Sequence, residues 1–527
     1  MGQLQGQAEP PSTVEHGPWA MWGVLGVLVV ANLLVFPSEL HLVGSAQDEG
    51  LLIVYPSLML HGAVPNQSFE SVYGSASLWA IAGAFKLFGT SVDSERSVAL
   101  LYWIAITGSV GVLVGRRRGP ILGVFSGALA IYILVRVLGL AAYAWIGALA
   151  LAMVGLLIID TTVRRQRGQT PTKTQKGLIA GAGLCFGLAV SYRLDMALAI
   201  ALVLALLLRY WRPQVWTLIV GFGIGLVPFV ANCFRAGIVP VLRGQLLQPI
   251  FVSGPGRRLP LGGLSATSLL ILAATCLCAI GLTVAGFHSL RRGDGFILLA
   301  IGLFEVGILP QVFQRADPVH MAYVACVVLP MALLLPVPVL TRRQGAVIGT
   351  LGLLILALPL SQRSYADKVA QTLGLRPQPQ HVVRNDGRSV PVAGSSEQRR
   401  LAALVAAVDH HATVGQRVFV GPDDLRRTNY NDTFLYFLFP RLVPGSFYLE
   451  MEPGVANGSN SQLAQDLRKD QWLILTSRYD HWTEPNASQV YGSDAANRVI
   501  AADFRTVGRW GPWRLMVNTR CPNCNRG

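Results

Sequence analysis

Nine residues in this sequence have types and spacings that could do chemistry together. Asp48 and Glu49 stand side by side in "GSAQDEG"; Arg193 and Asp195 lie in "SYRLD"; Arg315, Asp317 and His320 lie in "QRADPVH". Tyr73 and Arg96 flank an apolar run that follows the first acidic pair. A carboxylate can accept the proton of an attacking hydroxyl. A guanidinium can hold a phosphate bidentately and stabilise it as it leaves. Asp48 is the expected base, and Glu49 is expected to orient it or to join it in holding a divalent cation. Arg193 and Arg315 are the expected phosphate ligands, with Asp195, Asp317, His320, Tyr73 and Arg96 in support. Substitution of Arg257 or Arg258 is expected to have little effect. Local pairing of each arginine with the acid two residues on is the competing account of both clusters.

These groups have to be positioned by a chain that is mostly apolar. Only 13% of its 527 residues are charged and 52% are hydrophobic, with a mean hydropathy of +0.47. Soluble domains carry about 25% charged residues, so the composition points to an α-helical, polytopic membrane protein. The net charge of +15 fits basic loops that fix topology and an affinity for anionic lipid. Nucleic acid is excluded as a partner, because no basic stretch is interleaved with aromatic residues. Cys521 and Cys524 form a single C-x-x-C without the second pair a zinc site wants, and the other five cysteines lie in or beside apolar segments.

Apolar runs long enough to cross a bilayer fall at Trp19–Phe36, Ser97–Gly115, Pro120–Val135, Ala141–Ile159, Leu178–Tyr192, Met196–Leu208, Val215–Phe234, Ala266–Leu290, Phe296–Phe313, Val319–Leu340 and Ala346–Leu360. That predicts about 11 transmembrane helices. Basic clusters at 116–118, 164–176, 209–212, 291–292 and 342–343 occupy alternate loops, which the positive-inside bias makes cytoplasmic. The opposite loops hold Asp48, Glu49, Glu70, Asp93, Glu95, Asp195 and Asp317. Residues 1–18 are then a cytoplasmic segment and 19–360 the membrane domain. The first apolar run is expected to stay as a helix, since no basic n-region precedes it. Leu51–His61 and Ser75–Phe88 are too short to span and read as interfacial helices of the first outer loop.

Beyond residue 360 the chain changes character. Residues 361–527 hold 15 of the 28 acidic residues and no spanning run. Residues 361–400 read as a connecting segment and 401–527 as an extracytoplasmic α/β domain. Strands are predicted at Arg417–Gly421, Gly445–Met451 and Gln471–Ser477, with a last pair in "FRTVGRWGPWRLMV"; helices are predicted at Thr433–Phe439 and Gln462–Lys469. Asn66, Asn431, Asn457 and Asn486 stand in N-x-S/T sequons. "GFGIG" follows no strand and reads as close helix packing, not as a phosphate loop.

The order of a long first outer loop with an Asp-Glu pair, a Tyr-Gly-led interfacial helix ("YGSASLWAIAGAFKLFG") and an arginine opening the next span ("SERSVALL") resembles the GT-C superfamily of membrane glycosyltransferases. That superfamily includes protein O-mannosyltransferases, aminoarabinose transferases and actinobacterial cell-wall glycosyltransferases. The resemblance covers about residues 19–200. It implies transfer of a sugar from a polyprenyl-phosphate donor to a glycan, lipid or protein acceptor, in a multi-pass protein of the plasma membrane. By the same resemblance Asp48 matches the acidic position of the first outer loop, and Arg193 falls where relatives place a basic residue near the donor phosphate. The chain departs from the pattern between the third and fourth spans, where "RVLGLAAYAW" offers Arg136 and Tyr143 but no second acid. The rival readings are a transporter or flippase of a lipid-linked substrate and a non-catalytic assembly factor on the same scaffold.

Overall fold

The computed structural model describes residues 17–166, 171–293, 296–335, 365–378 and 381–520. The helical body begins with α1 (Pro18–Leu40), α2 (Asp48–Leu60), α3 (Ser75–Phe88), α4 (Val92–Arg118), α5 (Pro120–Ile133), α6 (Ala144–Gln166) and α7 (Lys173–Tyr192). It continues through α8 (Ala197–Tyr210), α9 (Arg212–Gly225) and α10 (Val227–Ala236), then the short α11 (Ile238–Leu242), α12 (Gln248–Phe251) and α13 (Ser253–Arg257). The long α14 (Ala266–Arg291), α15 (Ile297–Ile308), α16 (Pro310–Gln314) and α17 (Pro318–Met331) complete it. Nine of the expected spans fall on helices, the tenth, Val319–Leu340, does so as far as it is described, and the eleventh, Ala346–Leu360, lies outside the described residues. Among the described residues, seven helices are long and apolar enough to cross a membrane. The chain is a multi-pass membrane protein. The expected interfacial helix Ser75–Phe88 is α3, residue for residue.

Close packing explains the glycines of "GFGIG". A Cβ added at Gly221 would collide with the Ala180 carbonyl, and one added at Gly183 with that of Leu218. The four-residue spacings Gly183/Gly187 and Gly221/Gly225 let α7 and α9 touch backbone to backbone.

The helices also sort the charges. Arg96 lies in the first turns of α4, and Arg116–Arg118 end it about 30 Å away at 1.5 Å per residue. There Arg116 and Arg117 bind Asp160 of α6 at 2.8 and 2.5 Å, and Arg164 binds it at 3.2 Å. Arg118 caps the chain after α17 through the Leu334 and Leu335 carbonyls.

The C-terminal part pairs a hairpin, β1 (Val382–Asn385) with β2 (Arg388–Pro391), with a five-stranded sheet. Its strands are β3 (Arg417–Pro422), β4 (Val443–Pro444), β5 (Trp472–Thr476), β6 (Phe504–Trp510) and β7 (Trp513–Asn518), in the order β4-β3-β5-β7-β6. β3 runs parallel to both β4 and β5, whereas β7 is antiparallel to β5 and β6. The short helices Phe434–Leu438 and Leu463–Leu467 fall where expected.

Gly445–Met451, expected as a strand, is not one; only Val443–Pro444 pairs with β3. Its backbone is satisfied elsewhere: the Gly445 N–H donates to the Val418 carbonyl, and the Phe447 carbonyl accepts from Glu70. The segment read as a connector contains the hairpin and the start of a 17-residue helix, Ser395–His411. Asn66, Asn431 and Asn457 are buried and cannot carry a glycan in this fold. Cys521 and Cys524 lie outside the described residues.

Candidate functional site

The acidic pair belongs to the first turn of α2, not to the loop before it. Ser45 explains the early start. Its hydroxyl accepts from the Asp48 N–H at 3.0 Å and donates to Asp48 Oδ2 at 3.0 Å, a reciprocal pair that caps the turn. The positive end of the helix favours carboxylates there. Asp48 Oδ1 accepts no hydrogen bond from the described residues.

Glu49 points the other way. Its two oxygens take Arg96 Nε at 2.7 Å and Nη2 at 2.9 Å, and both side chains are buried. Arg96 Nη1 reaches the Glu39 and Leu40 carbonyls at the end of α1. One guanidinium therefore ties α1, α2 and α4 together beside Asp48.

From the other side, the C-terminal domain grips the same turn. Thr433 Oγ1 donates within reach of the Ala46 and Gln47 carbonyls, and the Asn431 N–H donates to Gln47 Oε1 at 2.9 Å. Gly50 lies against the Thr433–Phe434 backbone, where a Cβ would collide with Thr433 Oγ1 and Phe434 N. In "DEG", then, the acid faces the cavity, the glutamate anchors the turn to the helices, and the glycine admits the domain.

Arg193 follows α7 and makes a bidentate pair with Asp195 at 3.3 and 2.7 Å. Arg315 follows α16 and binds Asp317 at 2.7 Å and the Tyr430 hydroxyl at 2.9 Å, with Glu484 as its third partner. Asp317 caps α17 through the His320 N–H at 2.9 Å and also meets the His320 ring at 3.0 Å. Burial alone would raise the Asp317 carboxyl, but the His320 bonds and the Arg315 charge hold it down at about 2. Both arginine–aspartate pairs are local, as the competing account of these clusters required, yet both also face one large cavity.

That cavity, of about 1690 Å³, lies between the helical body and the C-terminal domain. All nine expected residues line it: Asp48, Glu49, Tyr73, Arg96, Arg193, Asp195, Arg315, Asp317 and His320. Leu246, Ile250, Ile271, Ile308 and Phe313 make its apolar wall. Burial pushes the Asp48 carboxyl above the usual range, while Ser45 and the charges of Arg315, His320 and Arg257 pull it part of the way back.

Several lining residues were missed. Arg257 and Arg258, expected to matter little, both line the cavity. Arg257 sits against Glu452 at 3.4 Å and donates to the Met451 carbonyl at 2.8 Å. Arg136 comes from a π-helical turn, Leu134–Leu138, that interrupts the end of α5 and is of the kind found often at functional sites. Glu450 and Glu452 enter from the C-terminal domain. Burial, and next the Glu452 charge, hold the Glu450 carboxyl well above its ordinary value. The E-x-E spacing was visible in "LEMEP", but nothing in the sequence joined it to Asp48 four hundred residues earlier.

A divalent cation at Asp48 and Glu49 does not fit this donor set. Arg96 occupies both Glu49 oxygens, and Asp48 lies in the field of Arg315, Arg257 and His320. Among the described residues no three His, Cys, Asp or Glu side chains are grouped to hold a metal.

No protein-family model matches the sequence, and no curated protein matches it. Solved structures do match in shape. ArnT from Cupriavidus metallidurans in the apo state superposes with a TM-score of 0.54 at 14% identity, over 95% of this chain and 98% of that one. ArnT from the same organism bound to undecaprenyl phosphate gives 0.52 at 13% identity, over 95% and 99%. Archaeal oligosaccharyltransferase AglB from Archaeoglobus fulgidus, in complex with an inhibitory peptide and a dolichol-phosphate, gives 0.50 at 11%, over 96% and 75%. The chain has the GT-C fold. The likeness runs through the C-terminal domain as well as the helical body, beyond the 19–200 region that carried the resemblance in sequence.

Proposed function

We propose that the protein is a membrane glycosyltransferase. It takes a sugar from a polyprenyl-phosphate-linked donor and gives it to an acceptor hydroxyl on the extracytoplasmic face of the plasma membrane. One observation carries this reading: a single cavity sets the Asp48 carboxylate, held through Oδ2 by Ser45, among arginines from separate elements and beside an apolar wall. The neighbour structures with undecaprenyl phosphate and dolichol-phosphate support a lipid-phosphate donor.

In this mechanism Asp48 takes the acceptor's hydroxyl proton as the acceptor oxygen attacks the anomeric carbon. The bond from that carbon to the phosphate oxygen breaks, and the lipid phosphate leaves with the electron pair. Arg193 and Arg315, already oriented by Asp195 and Asp317, neutralise the charge on the leaving phosphate. Glu49 and Arg96 keep the Asp48 turn in place without touching substrate. The basic helix ends support this orientation: the clusters at 116–118, 164–165 and 291–292 lie at ends remote from the cavity, and basic ends favour the cytoplasmic side.

The test uses the full chain in lipid nanodiscs with radiolabelled donors. Transfer from polyprenyl-phosphate sugars with release of polyprenyl phosphate is expected. Transfer from nucleotide sugars, or lipid translocation without sugar release, overturns the reading.

A further inference from the structure

The C-terminal domain contributes more than its grip on the Asp48 turn. Its parallel strands β3 and β5 are neighbours, and the chain leaves their carboxyl ends in opposite directions, towards β4 from one and towards β6 from the other. Crevices at such switch points are where open sheets of this kind bind ligands. Tyr430 follows β3, and Tyr479 and Trp482 follow β5. Their rings cluster around Tyr430: Tyr479 lies 6.1 Å away at 65° and Trp482 5.8 Å away at 86°.

Polar edges fix these rings. Glu484 Oε1 accepts from the Tyr430 hydroxyl and from Trp482 Nε1, each at 3.3 Å. The Tyr479 hydroxyl donates to Asp432 at 3.3 Å. Arg478 spans Asp432 and Glu397 at 3.3 and 2.9 Å. Tyr430, Tyr479, Trp482, Arg478, Glu397 and Glu484 all line the cavity, and Trp482 keeps 55% of its surface exposed.

We infer that this wall is a saccharide subsite, so that the acceptor is a glycan and not a polypeptide. The inference rests on the transferase reading above and names its acceptor. A sugar ring has an apolar C–H face and a rim of hydroxyls that both donate and accept. The wall complements it with held aromatic faces beside carboxylate and guanidinium groups. An extended peptide would seek an unpaired strand edge. β5 is paired on both sides, and where β3 runs past its two-residue pairing with β4, its Val420 N–H donates to Tyr436 and its Val420 carbonyl accepts from Asn431 and Tyr436. Arg315 bonds both Tyr430 and Glu484, so a sugar stacked here lies next to the proposed donor phosphate.

The test is ligand binding by full-length protein in nanodiscs prepared without sugar detergents. Saturation-transfer NMR is run with pyranosyl and furanosyl trisaccharides (mannotriose, galactotriose, arabinotriose), with serine/threonine-rich peptides and with polyprenyl phosphate. At least one trisaccharide should bind. Trp482→Ala should weaken it tenfold or more, Trp482→Phe should restore most of the binding, and polyprenyl phosphate should bind all three forms alike. No binding by any trisaccharide, equal binding by Trp482→Ala, or Trp482-dependent binding of the peptides overturns the subsite. Saccharide binding without polyprenyl-phosphate binding upholds the subsite and overturns the donor assignment.

Discussion

Asp48→Asn separates the chemistry of this site from its architecture. Asparagine keeps the size of the side chain and an oxygen to accept from Ser45, whose hydroxyl now donates to Asp48 Oδ2 at 3.0 Å. It cannot take a proton from an acceptor. General-base catalysis contributes about 10²–10⁴-fold, so turnover should fall by that factor, about 3–5 kcal/mol in the barrier. Donor affinity should hold or rise, because Arg315, Arg257 and His320 lose a competing anion. The assay is single-turnover release of labelled polyprenyl phosphate, with donor binding measured separately. A variant that keeps more than a tenth of the wild-type rate would show that Asp48 is not the base.

The same variant has a second, opposite signature. Burial raises the Asp48 carboxyl above its ordinary value, so the folded protein binds a proton that the unfolded chain has already released. Stability therefore falls as pH rises through the interval between the two values. Asparagine removes that cost. Asp48→Asn should be at least as heat-stable as wild type at neutral pH, while the acidic limb of the wild-type rate profile lies above the ordinary carboxylate range. A clear loss of thermal stability would mean that Asp48 supports the fold and that its effect on rate is indirect.

Arg96→Ala strands a buried Glu49 and should cost about 3–5 kcal/mol, read by thermal unfolding; Arg96→Lys should recover little, because an ammonium cannot reproduce the two-point contact. Arg193→Ala and Arg315→Ala should raise KM for the donor far more than for the acceptor, with each Lys variant intermediate. Arg257→Ala should now also impair donor use, contrary to the expectation drawn from sequence, and a wild-type KM would remove it from the site. Burial and then the Glu452 charge push the Glu70 carboxyl up to about 8, against the pull of Arg243; the folded state alone holds that proton from about pH 4.5 upward. Stability should fall across pH 4.5–8, and Glu70→Gln should flatten that slope in thermal scans.

What could be read from sequence was what short-range physics dictates. The period and length of Ser75–Phe88 define α3, and the parity of arginine clusters matches helix ends remote from the cavity. Intramembrane cost marks Arg193 and Arg315 as residues that need a reason. What could not be read was which partner each charge would find. Glu49 was paired in expectation with Asp48, its neighbour in sequence, whereas side chains at i and i+1 of a helix diverge by about 100°. Once Ser45 starts α2 at Asp48, the two acids must point apart. The amphipathic signal of Ser395–His411 was present in Leu401, Leu404, Val405 and Val408, all buried, but was hidden among the Pro, Gln and Arg before it. Tyr430, Glu450 and Trp482 lie on irregular backbone, where no periodicity points to a direction.

The grip on the Asp48 turn suggests why the two halves of the chain form one site. Arg96 holds its helical side through Glu49, and Thr433 with Asn431 holds its other side. Gly50 is the point at which both grips are compatible, since any Cβ there would drive the Thr433–Phe434 backbone away. Because the carboxylate that faces the cavity is fixed between these contacts, displacing the domain would also displace the proposed base. Gly50→Ala should therefore lower turnover while leaving Arg193 and the apolar wall, which belong to the helical body, able to bind donor lipid. Equal loss of donor binding and turnover would mean that the domain positions the helical body's phosphate ligand as well.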